Sequence, residues 1–349
     1  MNYNEYIDEM ESNRVSTASL LLIVVFMIGV VLKLARPVLF PFFLAIFLSF
    51  TLSPVLHFLT RFKIPRSLAI VFILLVTFFI VYLLGSLLYS SGKTFAAEFP
   101  KYGQKINDIL VSIFARLNFP SQEIESFNLM EQLNIKNFGN LLLSIFGTAF
   151  SFLSNLFLIL IFFVFILAGR GETEAKILRS FKREQAETFI QIKNNIDLQV
   201  QRYLGIKTVI SFITGLLATI ILLFFGVDFA ILFGFFTFIL NYIPNIGSII
   251  ATALPLIIAI FQFDTLWPAF WILIILGTIQ MLLGNFIEPR VMGRGLGLSP
   301  LVVLFSLFFW GWLWGLPGMI LAVPIAAVIK IITSNIPSLK FISILISRG

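Results

Sequence analysis

The chain has 349 residues, 59% hydrophobic and only 12% charged, with 24 Lys and Arg against 17 Asp and Glu. Soluble domains carry roughly 25% charged and about 45–50% apolar residues, so this composition excludes a water-soluble enzyme and indicates an integral membrane protein. With no Cys there is neither a disulfide framework nor thiol chemistry, and the net charge of +7 reads as membrane topology rather than nucleic-acid binding.

The acidic head, residues 1–18, lacks the basic n-region of a signal peptide, so the apolar run that follows reads as a retained span. A transmembrane helix needs about 20 mostly apolar residues. Residues 19–89 supply three candidates: Ser19–Leu32 with its flanks, Val38–Phe58 with Pro41 and Pro54 inside it, and Ser67–Tyr89. Residues 90–139 form an extracytoplasmic amphipathic segment, with Ile106, Ile109, Leu110, Ile113 and Leu117 on one helical stripe and "NFPSQEIESFN" as a loop. Residues 140–168 are the fourth span.

Residues 169–207 form a cytoplasmic amphipathic helix. Leu178, Phe181, Gln185, Phe189, Ile192, Ile196, Val200 and Tyr203 recur at steps of three and four. Such a helix either lies on the membrane face or packs against neighbouring subunits. Val209–Gly226 is the fifth span. Arg14, the "TRFKIPR" loop, the basic residues of 170–207 and the tail 336–349 then fall on one side. The positive-inside rule makes both termini cytoplasmic in a multi-pass protein of the cytoplasmic membrane.

Residues 208–335 hold the transport region. Two apolar stretches, 229–261 and 300–332, are each broken by Pro and Gly. Asn241, Pro244, Asn245 and Gly247 mark the first break; Gly315, Pro317 and Gly318 mark the second. At 1.5 Å per residue each half spans about 21 Å, short of a ~30 Å hydrocarbon core. Re-entrant helical hairpins fit this pattern, and interrupted segments point to a transporter's binding site. Tilted full spans with surface breaks are the alternative.

Between the two lies Thr265–Phe286, then "NFIEPRVMGRGLGLSP". From Lys207 to Lys330 the ionisable residues are few: Asp228 and Asp264 near outer turns, Glu288, Arg290, Arg294 and the weakly acidic Tyr242. Charge at the bilayer is costly unless paired or hydrated. Glu288 is therefore the favoured path residue, paired with Arg290 across a bend at Pro289, which disfavours helix at Glu288. Gly293, Gly295 and Gly297 supply a hinge. An ordinary surface turn with an ion pair worth at most about 1 kcal/mol also fits. Asn241, Asn245, Gln280 and Asn285 either line a path or hold helices together; Gln280 and Glu288 fall near one face of a continuous helix.

Enzymatic readings find little. The sole His, His57, reads as interfacial, there is no H-E-x-x-H, and "GRGLGL" lacks the context of a phosphate loop. No cofactor, metal or nucleotide domain is expected.

"LNYIPNIGSIIA" together with "GNFIEPRVMGRGLGLSPLVVLFSLFFWGWLWGLPGMILAVPIAAVIKI" strongly resembles the AI-2E, autoinducer-2 exporter-like, family of bacterial membrane proteins. The resemblance implies an inner-membrane exporter with about eight hydrophobic segments, assembled as an oligomer such as a pentamer. Some members are linked to export of autoinducer-2 and others to sodium/proton exchange. The expectation is an all-α polytopic protein with about six full transmembrane helices, two Pro/Gly-interrupted re-entrant hairpins and the amphipathic cytoplasmic helix. It exports a small polar solute by alternating access, with H+ or Na+ as coupling ion at Glu288. A Na+/H+ antiporter, a passive channel and a structural membrane protein are the alternatives.

Overall fold

The computed structural model describes residues 19–116 apart from 21, 22 and 25, then 156–169, 173–292 and 297–347. Those residues form helices and turns, with an isolated bridge between Leu298 and Ser347. The fold is an all-α polytopic membrane bundle. Five helices are long and apolar enough to span a bilayer, or six if a pair bent by 53° counts as one.

Helix α1, described over 26–34, meets α2 (Arg36–Arg61) at a turn on Ala35, and Pro37 occupies the first turn of α2. Proline fits there because the first-turn N–H groups have no intrahelical partner. Lys63 at φ +63° and Pro65 end the connection, and α3 (Arg66–Arg116) runs without interruption through Ile106, Ile109, Leu110 and Ile113 of the expected outer stripe, whose last member, Leu117, lies outside the described residues. Helix α4 (Leu156–Gly169) packs on both through Ala45, Leu56, Ala69, Ile73, Ile159, Phe163 and Leu167. Arg66 Nη2 donates to the Leu167 carbonyl at 2.9 Å, placing a cation where the α4 dipole ends negative. The loop expected at 118–128 lies outside the described residues, as does everything from 117 to 155, which includes the start of the expected fourth span.

The expected cytoplasmic helix is two helices. α5 (Thr173–Ser180) ends before Phe181 and Lys182, and α6 (Arg183–Phe224) continues unbroken into the fifth span. Its stripe divides accordingly: Val200 and Tyr203 are buried, whereas Leu178, Phe181 and Phe189 stay exposed.

Both interrupted stretches are helical hairpins. The first consists of α7 (Ala230–Leu240) and α8 (Ile246–Gln262), and its open ends are tied together. The Gln262 side chain accepts from the Asp228 amide at 2.8 Å and donates to the Gly226 carbonyl at 2.7 Å. α7 packs on α6 through small residues: a Cβ on Gly215 would lie 2.6 Å from the Gly234 carbonyl oxygen, so only glycine permits this approach.

The chain returns through α9 (Trp267–Met281), a π-helical turn (Leu282–Ile287) and the short α10 (Glu288–Met292), which together make a single candidate span. The second hairpin consists of α11 (Pro300–Trp314) and α12 (Leu316–Asn335), turning at Gly315 with φ +73°. Lys330 Nζ donates to the Gly297 carbonyl at 2.7 Å and ties its base. The sequence expectation that both halves fall short is corrected here. α12 has 20 residues, about 30 Å at the helical rise, because the helix runs past Ile332 to Asn335. A 3-10 turn (Pro337–Leu339) and α13 (Lys340–Leu345) close the chain.

The hairpins point in opposite directions. The first has its base beside the C-terminus of α6, and its tip reaches back to Thr208 and Ser211. The second has its base beside Val200, Tyr203 and Leu204 of α6, through Leu298, Ala327 and Ile331. Its tip lies against Leu32 of α1 and Phe40 at the start of α2.

Candidate functional site: an ion pair at the tip of the first hairpin

Lys207 sits in the apolar part of α6, one turn after Tyr203 and one turn before Ser211. Its Nζ donates to both carboxylate oxygens of Glu288, at 2.7 and 2.9 Å. The side chains are 8% and 17% exposed. Neither charge could stay ionised here alone at small cost, since removing one partner of a buried pair costs about 3–5 kcal/mol.

The π-turn positions the carboxylate. A π-turn carries more residues per turn than an α-helix, so it rotates everything after it about the helix axis. Glu288, placed directly after Leu282–Ile287, therefore meets α6. It also accommodates Pro289, whose ring would crowd the carbonyl four residues back in a tight α-turn. The expectation of a bend at Glu288 is thus corrected: Glu288 has helical angles, φ −54° and ψ −52°, and begins α10. The expected partner is corrected as well. Residues two apart on a helix point to different faces, so Arg290 is turned away and exposed, and Lys207 takes the carboxylate. The one-face relation of Gln280 and Glu288 assumed an uninterrupted α-helix, and the intervening π-turn removes that premise.

The first hairpin brings its break to the same level. Asn241, buried, donates from Nδ2 to Ser211 Oγ at 3.2 Å, and the Tyr242 hydroxyl donates to Thr208 Oγ1 at 2.8 Å. Both acceptors lie within about a turn of Lys207. Phe47 of α2 sets its ring edge-on to Tyr242, with centroids 5.6 Å apart. Pro244 and Asn245 shape the turn, Asn245 at φ +58°, and Gly247 is buried where a Cβ would lie 1.8 Å from the Leu240 carbonyl oxygen. No side chain fits at Gly247, so the tip closes only with glycine.

The other expected site residues lie apart from this cluster. Gln280 is half-buried and Asn285 exposed on the π-turn. Gly293 and Gly295 fall outside the described residues; Gly297 has φ +53° and gives its carbonyl to Lys330. Gly315, Pro317 and Gly318 form the second hairpin's turn, with a Gly318 Cβ position 2.0 Å from the Trp310 carbonyl oxygen. That tip is aromatic, built from Trp310, Trp314, Phe40 and Phe43.

The site brings together a bidentate ion pair and the hydroxyl and amide groups of Thr208, Ser211, Asn241 and Tyr242. The AI-2E family transporter profile matches residues 20–338. The chain belongs to the AI-2E transporter family. It is 33% identical to the AI-2 transport protein TqsA of Escherichia coli over 326 residues, covering 93% of each chain. A relative from Borreliella burgdorferi is 32% identical over 325 residues, 93% of this chain and 88% of its own. One from Haemophilus influenzae is 33% identical over 329 residues, 90% and 91% respectively. This AI-2E family member is therefore a multi-pass membrane transport protein and not an enzyme. Sequence reasoning missed Lys207, which was counted with the basic residues that set topology. A signal was present: Tyr203, Lys207 and Ser211 recur at one-turn spacing where an apolar span begins.

Proposed function

We propose that this protein exports a small polar solute across the cytoplasmic membrane by alternating access, with both termini cytoplasmic. The Lys207–Glu288 pair is the element that opens and re-forms. The observation that supports this reading is a partly desolvated bidentate ion pair one turn from the polar tip of an inward-pointing hairpin. The first hairpin carries its polar tip to the level of that pair, so it is the element that moves as the pair opens and re-forms.

The chemistry of the pair suggests how an ion gradient would drive it. Lys207 cannot leave Glu288 without something to replace its charge, because a lone carboxylate at the bilayer costs several kcal/mol. A proton or a sodium ion on the carboxylate supplies that replacement and frees the ammonium to meet a solute. Coupling is then an exchange of cations at a single carboxylate. The name of TqsA makes autoinducer-2 the first solute to test.

Purified protein in proteoliposomes, loaded with autoinducer-2, ribose or glycerol, tests this under an imposed proton or sodium gradient. Movement of a solute beyond its equilibrium distribution is the expected result. Flux that never exceeds equilibrium supports the channel alternative, and absence of flux with every solute contradicts transport by this chain alone.

A further inference from the structure

A second polar region lies apart from the ion pair. Between the C-terminal half of α2, the start of α3, α5 and α6 is a cavity of about 380 Å³, within the size range of small-molecule sites, roughly 300–1,000 Å³. Its charges satisfy one another. Lys193 Nζ lies 3.1 Å from Asp197 Oδ2 and 3.6 Å from Glu174 Oε1, and Arg66 is held by the Leu167 carbonyl. Two cations thus face two carboxylates in the wall, which favours neither sign in an occupant. His57 donates from Nδ1 to the Ser53 carbonyl at 2.9 Å, and its ring forms part of the wall. Thr60, Asn194 and Gln201 add hydroxyl and amide groups to the wall.

The polar lining continues beyond the cavity on both helices. On α2, Ser49 lies one turn past Ser53 on the same face; it is fully buried, and its hydroxyl has no partner among the described groups. Buried hydroxyls are ordinarily hydrogen-bonded, so this one suits a polar guest in that seam. On α6, Thr208 follows Gln201 by two turns, roughly 10 Å, and already holds the Tyr242 tip. What separates cavity from tip is an apolar layer. Leu204, 2% exposed, belongs to one cluster with Phe47, Phe50 and Val200.

We infer that this cavity is the loading vestibule for the transported solute, and that the layer around Leu204 and Phe47 is the gate between vestibule and ion pair. The inference rests on the transport reading above. Its occupant is a small solute without net charge, hydrogen-bonded to the Asn194 and Gln201 amides and donating to the Thr60 hydroxyl oxygen. Opening the gate carries that solute past Ser49 to Thr208, Tyr242 and the separated charges.

The absence of native Cys makes the test clean, since each single-Cys variant carries a unique thiol. Asn194→Cys lines the vestibule, Ser49→Cys lies behind the gate, and Arg183→Cys, with a side chain 91% exposed on the same helix, is the control. Each is reconstituted, assayed for efflux of autoinducer-2, ribose and glycerol, treated with a bulky membrane-impermeant methanethiosulfonate, and assayed again, so every variant is its own folding control. Modified Asn194→Cys should lose at least tenfold in flux while modified Arg183→Cys keeps its own. Ser49→Cys should react at least tenfold faster during transport than at rest. Unchanged flux after complete modification of Asn194→Cys overturns the vestibule and leaves the transport reading standing. Equal reaction of Ser49→Cys in both conditions overturns the gate. If the unmodified protein moves none of these solutes, the transport reading falls, and the vestibule with it.

Discussion

The two hairpins share a sequence grammar and differ in chemistry. Each is a pair of apolar helices joined at a Pro/Gly break, each turns where a glycine Cβ would strike a carbonyl oxygen, and each has its base tied by a side chain. The first delivers Asn241 and Tyr242 to a helix that carries Thr208, Ser211 and Lys207. The second delivers Trp314 to Phe40 and Phe43; its indole N–H donates to the Leu32 carbonyl at 3.2 Å, and Lys33 lies over the Trp312 ring. A break makes a tip, but the helix that the tip meets decides whether the tip can handle a polar solute. On this reading the first hairpin works at the path and the second is a wedge that shapes the bundle around it.

The sharpest way to break that contrast is at the ion pair. Lys207→Met leaves Glu288 without its counter-charge, and stability should fall by roughly 3–5 kcal/mol with transport down more than tenfold, read by thermal melting in detergent and by efflux. The double exchange Lys207→Glu with Glu288→Lys should recover part of both. Equal losses in the single and double variants would show that the positions matter for packing alone.

Matched substitutions at the two tips come next. Gly247→Ala and Gly318→Ala each force a Cβ towards a carbonyl oxygen, and each should destabilise by roughly 1–3 kcal/mol, as overpacking does. Per folded molecule, Gly247→Ala should also lower transport, whereas Gly318→Ala should not. Loss of transport in both variants would make the second hairpin as much a part of the path as the first.

The smallest effects are expected from single hydrogen bonds. Tyr242→Phe and Trp314→Phe each remove a contact worth about 1 kcal/mol. Tyr242→Phe should shift the KM for the solute severalfold, and Trp314→Phe should leave it unchanged. A KM shift from Trp314→Phe would contradict the division of labour.

How far the sequence reaches is visible in these same residues. The hairpin breaks are legible because proline and glycine act locally: Pro244, Gly247, Gly315 and Gly318 all fall at the turns where composition puts them. Glu288 stands out because charge is scarce around it. Its partner does not, because Lys207 is far away in the chain and no local periodicity links the two. Arg290 was the nearer candidate in sequence, but a helix separates neighbours that a bend would have joined. The π-turn that aims Glu288 is set by packing against α6 and by the need to seat Pro289, so no residue pattern in "LLGNFI" announces it. His57 was likewise read alone, and only the fold brings Lys193 and Asp197 to the same cavity.

Efflux by Glu288→Gln in proteoliposomes tests the central claim most directly, because that change removes the carboxylate's charge while keeping its shape. The account predicts that residual flux no longer responds to an imposed proton or sodium gradient, whereas the parent protein does. A Glu288→Gln protein that keeps the parent's full gradient dependence would contradict it and remove the ion pair from the transport step.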